Sequence, residues 1–337
     1  MTGELPATDD SVWLAGGHIP GAPGSSAFVL SGPAPTRIPV LIAVPHAGRG
    51  YTPALLRRLR DPDLAALRLE DRFVDRLARG IAQATGAMLL VARAPRAMID
   101  LNRAPDDVDW EMFGRVPPNL SGGRAGGAAA EGTASHGTGL GGRARSGLGL
   151  IPRRLPGMGE LWRGRHEPAD LDARIAGVHA PYHACLGEAL GRLRARWGTA
   201  LLIDLHSMPS LPAQRGEPAP EFVLGDRFGA SCDGSLAAAS FAFFAERGRK
   251  AAHNRPYAGG YVLERHGKPR AGIHALQLEI DRASYLDRQC TKPGEGFALM
   301  AATLSALVSR LGSATAGLAR AQQGSASAAS GWADAAE

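Results

Sequence analysis

Cysteine and lysine are scarce in this sequence of 337 residues, and both scarcities narrow the class of protein. The three cysteines, Cys185, Cys232 and Cys290, lie far apart and form no CxxC pair. This spacing argues against a disulfide framework and against a cysteine zinc site, and it suits a reducing cytoplasm. Lysine occurs at only three positions, so arginine carries nearly all the positive charge of a chain whose net charge is +6.

Two kinds of segment are also missing. The N-terminus has no basic stretch followed by an apolar one, so no signal peptide is expected. No apolar run in the sequence approaches the ~18 residues needed to span a bilayer. The arginines are scattered among acidic residues without a nucleic-acid-binding motif, so we expect a cytoplasmic protein with neither nucleic acid nor membrane as partner. An arginine-rich pocket for an anionic metabolite explains part of the positive charge.

Glycine and proline are frequent, with 44 and 24 residues, and they concentrate in segments that predict the domain organisation. Residues 1–36 are rich in Gly, Pro and Ser and predict an extended lead-in. Residues 119–145 are low-complexity Gly, Ala, Ser and Arg, which predicts a flexible insertion. Residues 312–337 predict a disordered tail. A single domain is therefore expected over residues 37–311.

Hydrophobic residues make up 45% of the chain, enough for a sizeable core, and their patterns predict alternating strands and helices. Buried strands are predicted at 38–45, 88–92, 97–101, 200–206, 221–225, 261–265 and 273–280. Helices are predicted at 69–85, 170–197, 235–248 and 293–311. The alternation predicts an α/β fold, with a mixed, mostly parallel open sheet covered by helices on both faces.

Two histidines occupy similar positions in this pattern. The strand IPVLIAVP leads to His46, and the strand ALLIDL leads to His206. In open α/β sheets ligands bind beyond the carboxyl ends of the strands, so the two side chains can meet in one crevice. Imidazole is a common zinc ligand, and a catalytic zinc site has three protein ligands plus water. The alternative is a pair of histidines that cap strand ends and hold no metal.

The third ligand should be another histidine or a carboxylate, but the sequence has neither HxxE at His46 nor HExxH. Glu70 and Asp71 open the predicted helix 69–85. Acidic residues in a first helical turn often serve only the helix dipole. A carboxylate that faces the carboxyl edge of the sheet could equally reach the metal.

Arginine and asparagine cluster in the segment PRAMIDLNR. Arg96, Asn102 and Arg103 lie on a short predicted strand and its exit. Arginine recognises carboxylates through two parallel hydrogen bonds, and asparagine adds a donor. The alternative is an arginine paired with Asp100 or Asp106.

Polar residues near the end of the chain suggest a base and an oxyanion donor. Glu279 lies late in an apolar strand, where an unpaired carboxylate costs several kcal/mol, so it is expected to face a polar pocket as a general base. A buried ion pair with Arg282 is the alternative. Gly259 and Gly260 allow close backbone approach to a ligand, and His266 could donate to an oxyanion. A plain β-turn is the alternative there.

Taken together, these segments resemble the N-formylglutamate amidohydrolase family. The matching stretches occur in the family's order and cover most of residues 38–311. They are VPHAGRGYTP (44–53), LEDRFVDRL (69–77), PRAMIDLNRAPDDVD (95–109), SGLGLIPR (146–153), PYHACL (181–186), LLIDLHSMPS (201–210), FVLGDRFGASC (222–232), and HNRPYAGGYVLERHG through LQLEIDRASYLD (253–287).

The resemblance implies a fold like that of zinc carboxypeptidases and aspartoacylases. It also implies hydrolysis of N-formyl-L-glutamate to glutamate and formate, a late step of one histidine degradation route. By position, His46 and His206 would be ligands of one zinc ion, or another divalent metal, per chain. Arg49 occupies the place of the related enzymes' glutamate ligand. The expected third ligand is therefore Asp71, in preference to Glu70.

The resemblance also implies roles for the remaining candidates. Asn102 and Arg103 look like the pair that holds the substrate carboxylate in carboxypeptidase-like enzymes, and Glu279 resembles their general base. Arg96 and Arg265 are expected to join in substrate binding, with His266 as a catalytic donor to the oxyanion.

Two other functions stay open on the sequence, as does the oligomeric state. One is a related N-acyl amino acid deacylase or carboxypeptidase-like hydrolase. The other is a non-catalytic anion-binding protein on the same fold. In each case the expected partner is a small molecule with carboxylates.

Overall fold

A computed structural model describes residues 11–114, 144, 146–213 and 218–333, with the backbone alone described at 11–13 and 322–333. Eight strands form one mixed sheet in the order β1-β2-β4-β3-β7-β10-β8-β9, and β5 pairs with β6 in a separate hairpin. The strands are β1 (Ser11–Gly16), β2 (Phe28–Pro33), β3 (Val40–Val44), β4 (Met88–Ala92), β5 (Arg154–Leu155), β6 (Gly159–Glu160), β7 (Ala200–Met208), β8 (Phe222–Gly225), β9 (Ala251–His253) and β10 (Ile273–Asp281).

The centre of the sheet is parallel and its edges are mixed. Strands β4, β3, β7 and β10 run parallel to one another, as do β8 and β9. The pairs β1–β2, β2–β4 and β8–β10 are antiparallel. This pattern confirms the predicted mixed, mostly parallel open sheet.

Helices cover both faces of the sheet. They are α1 (Pro53–Arg58), α2 (Pro62–Leu69), α3 (Val74–Thr85), α4 (Pro168–Arg174), α5 (Ala180–Trp197), α6 (Gly234–Ala245), α7 (Tyr261–His266) and α8 (Phe297–Ala333). A π-helical turn, Ile175–His179, joins α4 to α5. One apolar core lies between the sheet and helices α1, α2, α4, α5 and α7, and a second lies between the sheet and α3, α6 and α8.

Alternation along the central strands brings polar residues to one face near the carboxyl edge. In β7, Leu202 packs in the first core, and Asp204 and His206 follow at intervals of two residues. Side chains two apart on a strand share a face. Strand β10 repeats this with Gln277 and Glu279, and Glu279 stands in register beside His206. A polar group therefore replaces the apolar core at this end of the sheet.

The predicted helix 69–85 begins later than expected. Helix α2 ends at Leu69, and α3 begins at Val74 after Phe73 adopts a left-handed conformation with φ of 61°. Asp71 therefore lies in the connection, and its backbone N–H donates to the carbonyl of His46 at 2.9 Å. The prediction that Glu70 and Asp71 open the helix is wrong, since this bond holds Asp71 against the end of β3.

Two predicted strands are not strands. Residues 97–101 form turns, in which Asp100 N–H donates to the Leu150 carbonyl at 2.7 Å. Their apolar side chains are buried, so the apolar run reflects burial and not pairing in the sheet. Residues 261–265 belong to α7, where Val262 and Leu263 are buried side by side. Short apolar runs suit either kind of element.

The ends of the chain differ from the predicted lead-in and tail. Residues 11–33 contribute β1 and β2 to the sheet, and β2 pairs with β4. Residues 312–333 continue α8, with Thr315 and Ala319 buried. The predicted insertion at 119–145 lies outside the described residues apart from Ala144, as do residues 1–10 and 334–337.

Helix α8 contains a segment, Phe297–Ala321, that is long and apolar enough to cross a membrane, with a mean hydropathy of 1.4. Within this segment Met300, Leu304, Leu307 and Leu311 are buried in the second core, against α3 and α6. Burial of this kind is what a core helix needs, so the composition of α8 follows from its packing.

Candidate active site

His46 and His206 face each other at the carboxyl edge of the sheet, with ring centroids 4.7 Å apart. The outer nitrogen of each ring is held by a buried carboxylate. His46 Nε2 lies 2.7 Å from Asp100 Oδ1, and His206 Nε2 lies 2.9 Å from Asp204 Oδ2. A carboxylate can only accept from imidazole, so each Nε2 carries a hydrogen and Nδ1 is the nitrogen of each ring that faces Asp71.

Both Nδ1 atoms point at the same carboxylate oxygen. Asp71 Oδ2 lies 3.1 Å from His206 Nδ1 and 3.5 Å from His46 Nδ1. The candidate ligand atoms of the three residues all lie within 4.8 Å of one another, and all three residues are buried. The structure thus brings the predicted ligands together and places Asp71, and not Glu70, between the histidines.

This group could bind a metal ion. Two imidazole nitrogens and one carboxylate oxygen form a catalytic zinc ligand set that keeps a position open. Ligands bound at about 2.0–2.2 Å around one tetrahedral ion lie roughly 3.4 Å apart. The two distances from Asp71 Oδ2, 3.1 and 3.5 Å, match this spacing.

Negative charge dominates the surroundings of the two rings. Although burial opposes ionisation, hydrogen bonds from His206 and His46 hold the pKa of Asp71 well below its usual range. Burial likewise opposes charge on His206, but Asp204 and Asp71 raise its pKa well above the ordinary value. A cation bound between the rings would compete with this proton, so its affinity should fall in acid.

Glu279 is buried beside the group. Burial raises its pKa to about 7, and the negative charge of Asp71 adds to the rise, while His206, His46 and Arg96 oppose it. Its Oε1 accepts a hydrogen bond from Gln277 Nε2 at 2.9 Å. A carboxylate whose pKa lies near neutrality can both take and return a proton, which is what a general base requires.

A cavity of about 250 Å³ opens above these residues. Its walls combine the candidate metal ligands and Glu279 with four arginines: Arg68, Arg96, Arg103 and Arg282. Tyr257 and the glycines Gly259 and Gly260 complete the side next to α7. The cavity is therefore lined by cations around a deeper carboxylate group, which suits an anionic ligand.

The predicted substrate-binding residues Arg96, Asn102 and Arg103 line this cavity. Arg96 Nε donates to Asp100 Oδ2 at 2.9 Å, and Arg103 Nε donates to the Leu148 carbonyl at 2.8 Å. The two arginines are thus fixed by protein contacts at the wall of the cavity.

The side-chain amide of Asn102 is bonded at both ends. Its Oδ1 accepts from Val262 N–H at 2.9 Å, and its Nδ2 donates to Gln277 Oε1 at 3.2 Å. A Cβ on Gly260 would come within 2.5 Å of Asn102 Oδ1. Glycine at 260 therefore allows the close approach of Asn102 to the backbone, and not the predicted approach of a ligand.

Two predicted residues lie elsewhere. Arg265 is on the exposed side of α7, where its NH1 donates to Tyr261 Oη at 2.7 Å. The buried ring of His266 faces α5, with Nε2 3.0 Å from His183 Nδ1. Among the residues that the structure describes around the cavity, neither is a lining residue. Helix α7 turns both side chains away from the cavity, so the predicted roles of Arg265 in substrate binding and of His266 in oxyanion stabilisation gain no support from this geometry.

Sequence reasoning missed several residues of the site. Asp100 and Asp204 were not predicted as partners of the histidines, although the DLH spacing at 204–206 puts two side chains on one strand face. Arg282, the alternative partner for Glu279, binds other groups. Its NH2 instead donates to Asp71 Oδ1 at 3.2 Å, and its Nε to Ser207 Oγ at 3.1 Å.

The fold and the site together are those of a hydrolase with a mixed, mostly parallel sheet between helices and a buried group that could bind a metal. A sequence model of the N-formylglutamate amidohydrolase family matches residues 38–286. The chain belongs to the N-formylglutamate amidohydrolase family.

Two curated relatives carry the name N-formylglutamate deformylase. The one from Pseudomonas aeruginosa is 33% identical over 264 residues, which cover 75% of this chain and 84% of that protein. The one from Pseudomonas putida is 31% identical over 262 residues, which cover 74% and 83%.

Solved structures agree with the fold. An N-formylglutamate amidohydrolase from Ralstonia eutropha JMP134 has a TM-score of 0.71 and 29% identity, over 86% of this chain and 98% of that chain. A gene product of Agrobacterium tumefaciens has a TM-score of 0.60 and 17% identity, over 86% and 95%, which supports the fold alone.

Proposed function

We propose that this protein hydrolyses N-formyl-L-glutamate to L-glutamate and formate, with one zinc ion, or another divalent cation, held by His46, Asp71 and His206. Family membership and the two deformylases at 33% and 31% identity support the reaction. The observation that carries the metal proposal is the convergence of two histidine Nδ1 atoms on Asp71 Oδ2. Histidine degradation is the pathway in which this reaction belongs.

A cation held by these three residues would act as a Lewis acid toward the formyl carbonyl and the attacking water. The protein holds its two imidazoles in one tautomer through Asp100 and Asp204. Asp71 is held in turn by Arg282. Ligands fixed in this way need little rearrangement during the reaction.

Glu279 is the proposed general base. It takes a proton from water as the oxygen attacks the formyl carbon, and it gives that proton to the leaving amine when the C–N bond breaks. Since burial raises the pKa of Glu279 to about 7, both transfers are accessible near neutral pH. Gln277 fixes one oxygen of the carboxylate, which leaves the other for water.

The substrate has two carboxylates, and the cavity wall carries the cations to bind them. Arg96 and Arg103 are the proposed inner contacts, with Asn102 beside them. Arg68 lies at the end of α2, is exposed, and lines the same cavity, so it is a further candidate for the second carboxylate. Binding two carboxylates to arginine makes the site selective for acidic substrates.

The catalytic unit is proposed to be wider than residues 37–311, because β2 pairs with β4 and α8 continues to Ala333. We propose that the protein works in the cytoplasm on a small molecule, with neither nucleic acid nor membrane as partner. Its three free cysteines, two of them buried, are compatible with a reducing compartment.

A panel of N-acyl substrates tests the proposal. We expect kcat/KM for N-formyl-L-glutamate to exceed that for N-formyl-L-glutamine by roughly 100-fold or more, because the neutral amide cannot form the charge-assisted hydrogen bonds that a carboxylate makes with arginine. N-acetyl-L-glutamate adds one methyl group, and we expect it to be slower by roughly 10–200-fold. Formate or acetate release under steady-state conditions gives the three values.

Other outcomes point to the alternatives. A preference for the acetyl substrate would indicate a related deacylase. Cleavage of a peptide with a C-terminal glutamate, assayed beside the panel, would indicate a carboxypeptidase-like hydrolase. Binding of N-formyl-L-glutamate without turnover at any divalent metal concentration would indicate a non-catalytic anion-binding protein.

A further inference from the structure

The residues that flank the candidate metal group lie on a segment without regular secondary structure. Residues 97–103 form turns, yet they carry Asp100, Asn102 and Arg103. Irregular buried backbone needs hydrogen-bond partners from elsewhere, because an unpaired buried carbonyl is costly. The partners of this segment therefore decide where three site residues stand.

One helical stretch supplies donors to three carbonyls of the segment. Arg174 NH1 donates to the Met98 carbonyl at 2.9 Å. His183 Nε2 lies 3.0 Å from the Leu101 carbonyl. His179 Nε2 lies 2.9 Å from the carbonyl of Arg103. We call Arg174, His179 and His183 the donor row, and all three side chains are buried.

A π-helical turn aligns the donor row. Arg174 ends α4, and His179 is the last residue of the turn Ile175–His179. Positions five apart on a regular α-helix point roughly 140° away from each other. A π turn closes its hydrogen bond after five residues and so brings such positions much closer to one face. His183 follows His179 by four residues, the ordinary α-helical repeat.

The hydrogen positions in the donor row follow from the acceptors. A carbonyl only accepts, so Nε2 of His179 and Nε2 of His183 both carry hydrogens. Burial lowers the pKa of both histidines, which keeps them neutral. The Nδ1 of His183 is therefore an acceptor, and His266 Nε2 donates to it at 3.0 Å. His266 thus supports the donor row from behind.

The neighbours of Asn102 leave it little room to move. The two histidines bind the carbonyls of Leu101 and Arg103, on either side of Asn102. On the opposite side, Gly260 packs so close that a Cβ would meet Asn102 Oδ1 at 2.5 Å. A shift of the segment would therefore be passed on directly to Asn102 and to Arg103.

We infer that His179 and His183 are positioning residues for substrate binding, which act through the backbone carbonyls of Leu101 and Arg103. The inference rests on the proposed function for its substrate. The two histidines do not line the described cavity, so their effect is on the placement of Asn102 and Arg103 and not on the chemical step. Their contribution should appear in KM for N-formyl-L-glutamate.

The test compares two substitutions at each histidine. His183→Leu and His179→Leu remove the donor, and we expect KM to rise about 10-fold or more, with kcat within about 3-fold and zinc content unchanged. His183→Gln and His179→Gln place an amide donor near the former Nε2, and we expect them to restore most of the lost affinity. His274→Leu is the matched control, since His274 is also buried but bonds to Asp233 N–H, away from the segment.

The outcomes separate the inference from the proposed function. Leucine variants with the KM of the wild-type protein, or glutamine variants no better than leucine, overturn the inference. Where a leucine variant does not fold by circular dichroism, His179→Asn replaces it, because its side chain is too short to reach the carbonyl of Arg103. A wild-type protein that does not turn over N-formyl-L-glutamate overturns the proposed function, and this inference with it.

Discussion

Replacing Glu279 by Gln should lower kcat for N-formyl-L-glutamate by about 100- to 10,000-fold while leaving the bound metal in place. The amide keeps the size of the side chain but cannot take a proton from water. Glu279 lies outside the His46, Asp71 and His206 group, so metal content should not change. Steady-state formate release and elemental analysis of the same preparation measure both quantities.

The matched control is Glu264→Gln on α7. Glu264 is exposed, and its Oε2 lies 3.6 Å from Arg227 NH2. The control protein should behave as wild type. A Glu279→Gln protein with near-normal kcat would contradict the base assignment. One that is inactive because it has lost its metal would instead make Glu279 a ligand.

The proposed role of Glu279 also predicts how activity changes with pH. A general base must be deprotonated to act, so kcat/KM should rise with pH and level off above the pKa of Glu279. Burial raises that pKa to about 7, and a bound cation would lower it again, so the acid limb should have an apparent pKa of about 7 or below. The limb should be missing from the residual activity of Glu279→Gln.

Neutralising Asp71 should have the second large effect on activity, whereas neutralising the adjacent Glu70 should not. The Asp71→Asn protein should lose its bound zinc, because a neutral amide is a poor zinc ligand and no longer offers the two histidine nitrogens a shared carboxylate. Its kcat/KM should therefore fall by at least ~1,000-fold. Glu70→Gln should keep its metal and stay within a few-fold of wild-type activity. Glu70 Oε2 lies 3.4 Å from Arg49 Nε, away from the ligand group.

Elemental analysis, with circular dichroism to check folding, decides between the two carboxylates. The reverse result, with metal lost from Glu70→Gln and retained in Asp71→Asn, would make Glu70 the third ligand. If both variants keep their metal, neither carboxylate is a metal ligand.

The strand ends of the site could be predicted from the sequence because they depend on local patterns. Buried runs lead to His46 and His206, and the parallel pairing of β3 with β7 then brings the two histidines to one edge. Glu279 follows from the same rule, since an acid late in an apolar strand needs a polar neighbour. Its position beside His206 depends on the pairing register of β10 with β7, which the sequence does not determine.

The errors lie where distant contacts override local patterns. Residues 97–101 are apolar enough for a strand, but Arg174 and His183 bind their carbonyls from another part of the chain. Residues 261–265 form a helix that buries Val262 and Leu263 in the first core, and this helix turns Arg265 and His266 away from the cavity. No local spacing reveals either outcome.

The proposed zinc dependence can be tested by titrating the chelated protein with zinc while formate release from N-formyl-L-glutamate is followed. We expect no turnover after chelation and a linear recovery that saturates at one zinc per chain. Full turnover by protein that holds far less than one metal ion per chain, with chelator present throughout, would contradict this dependence.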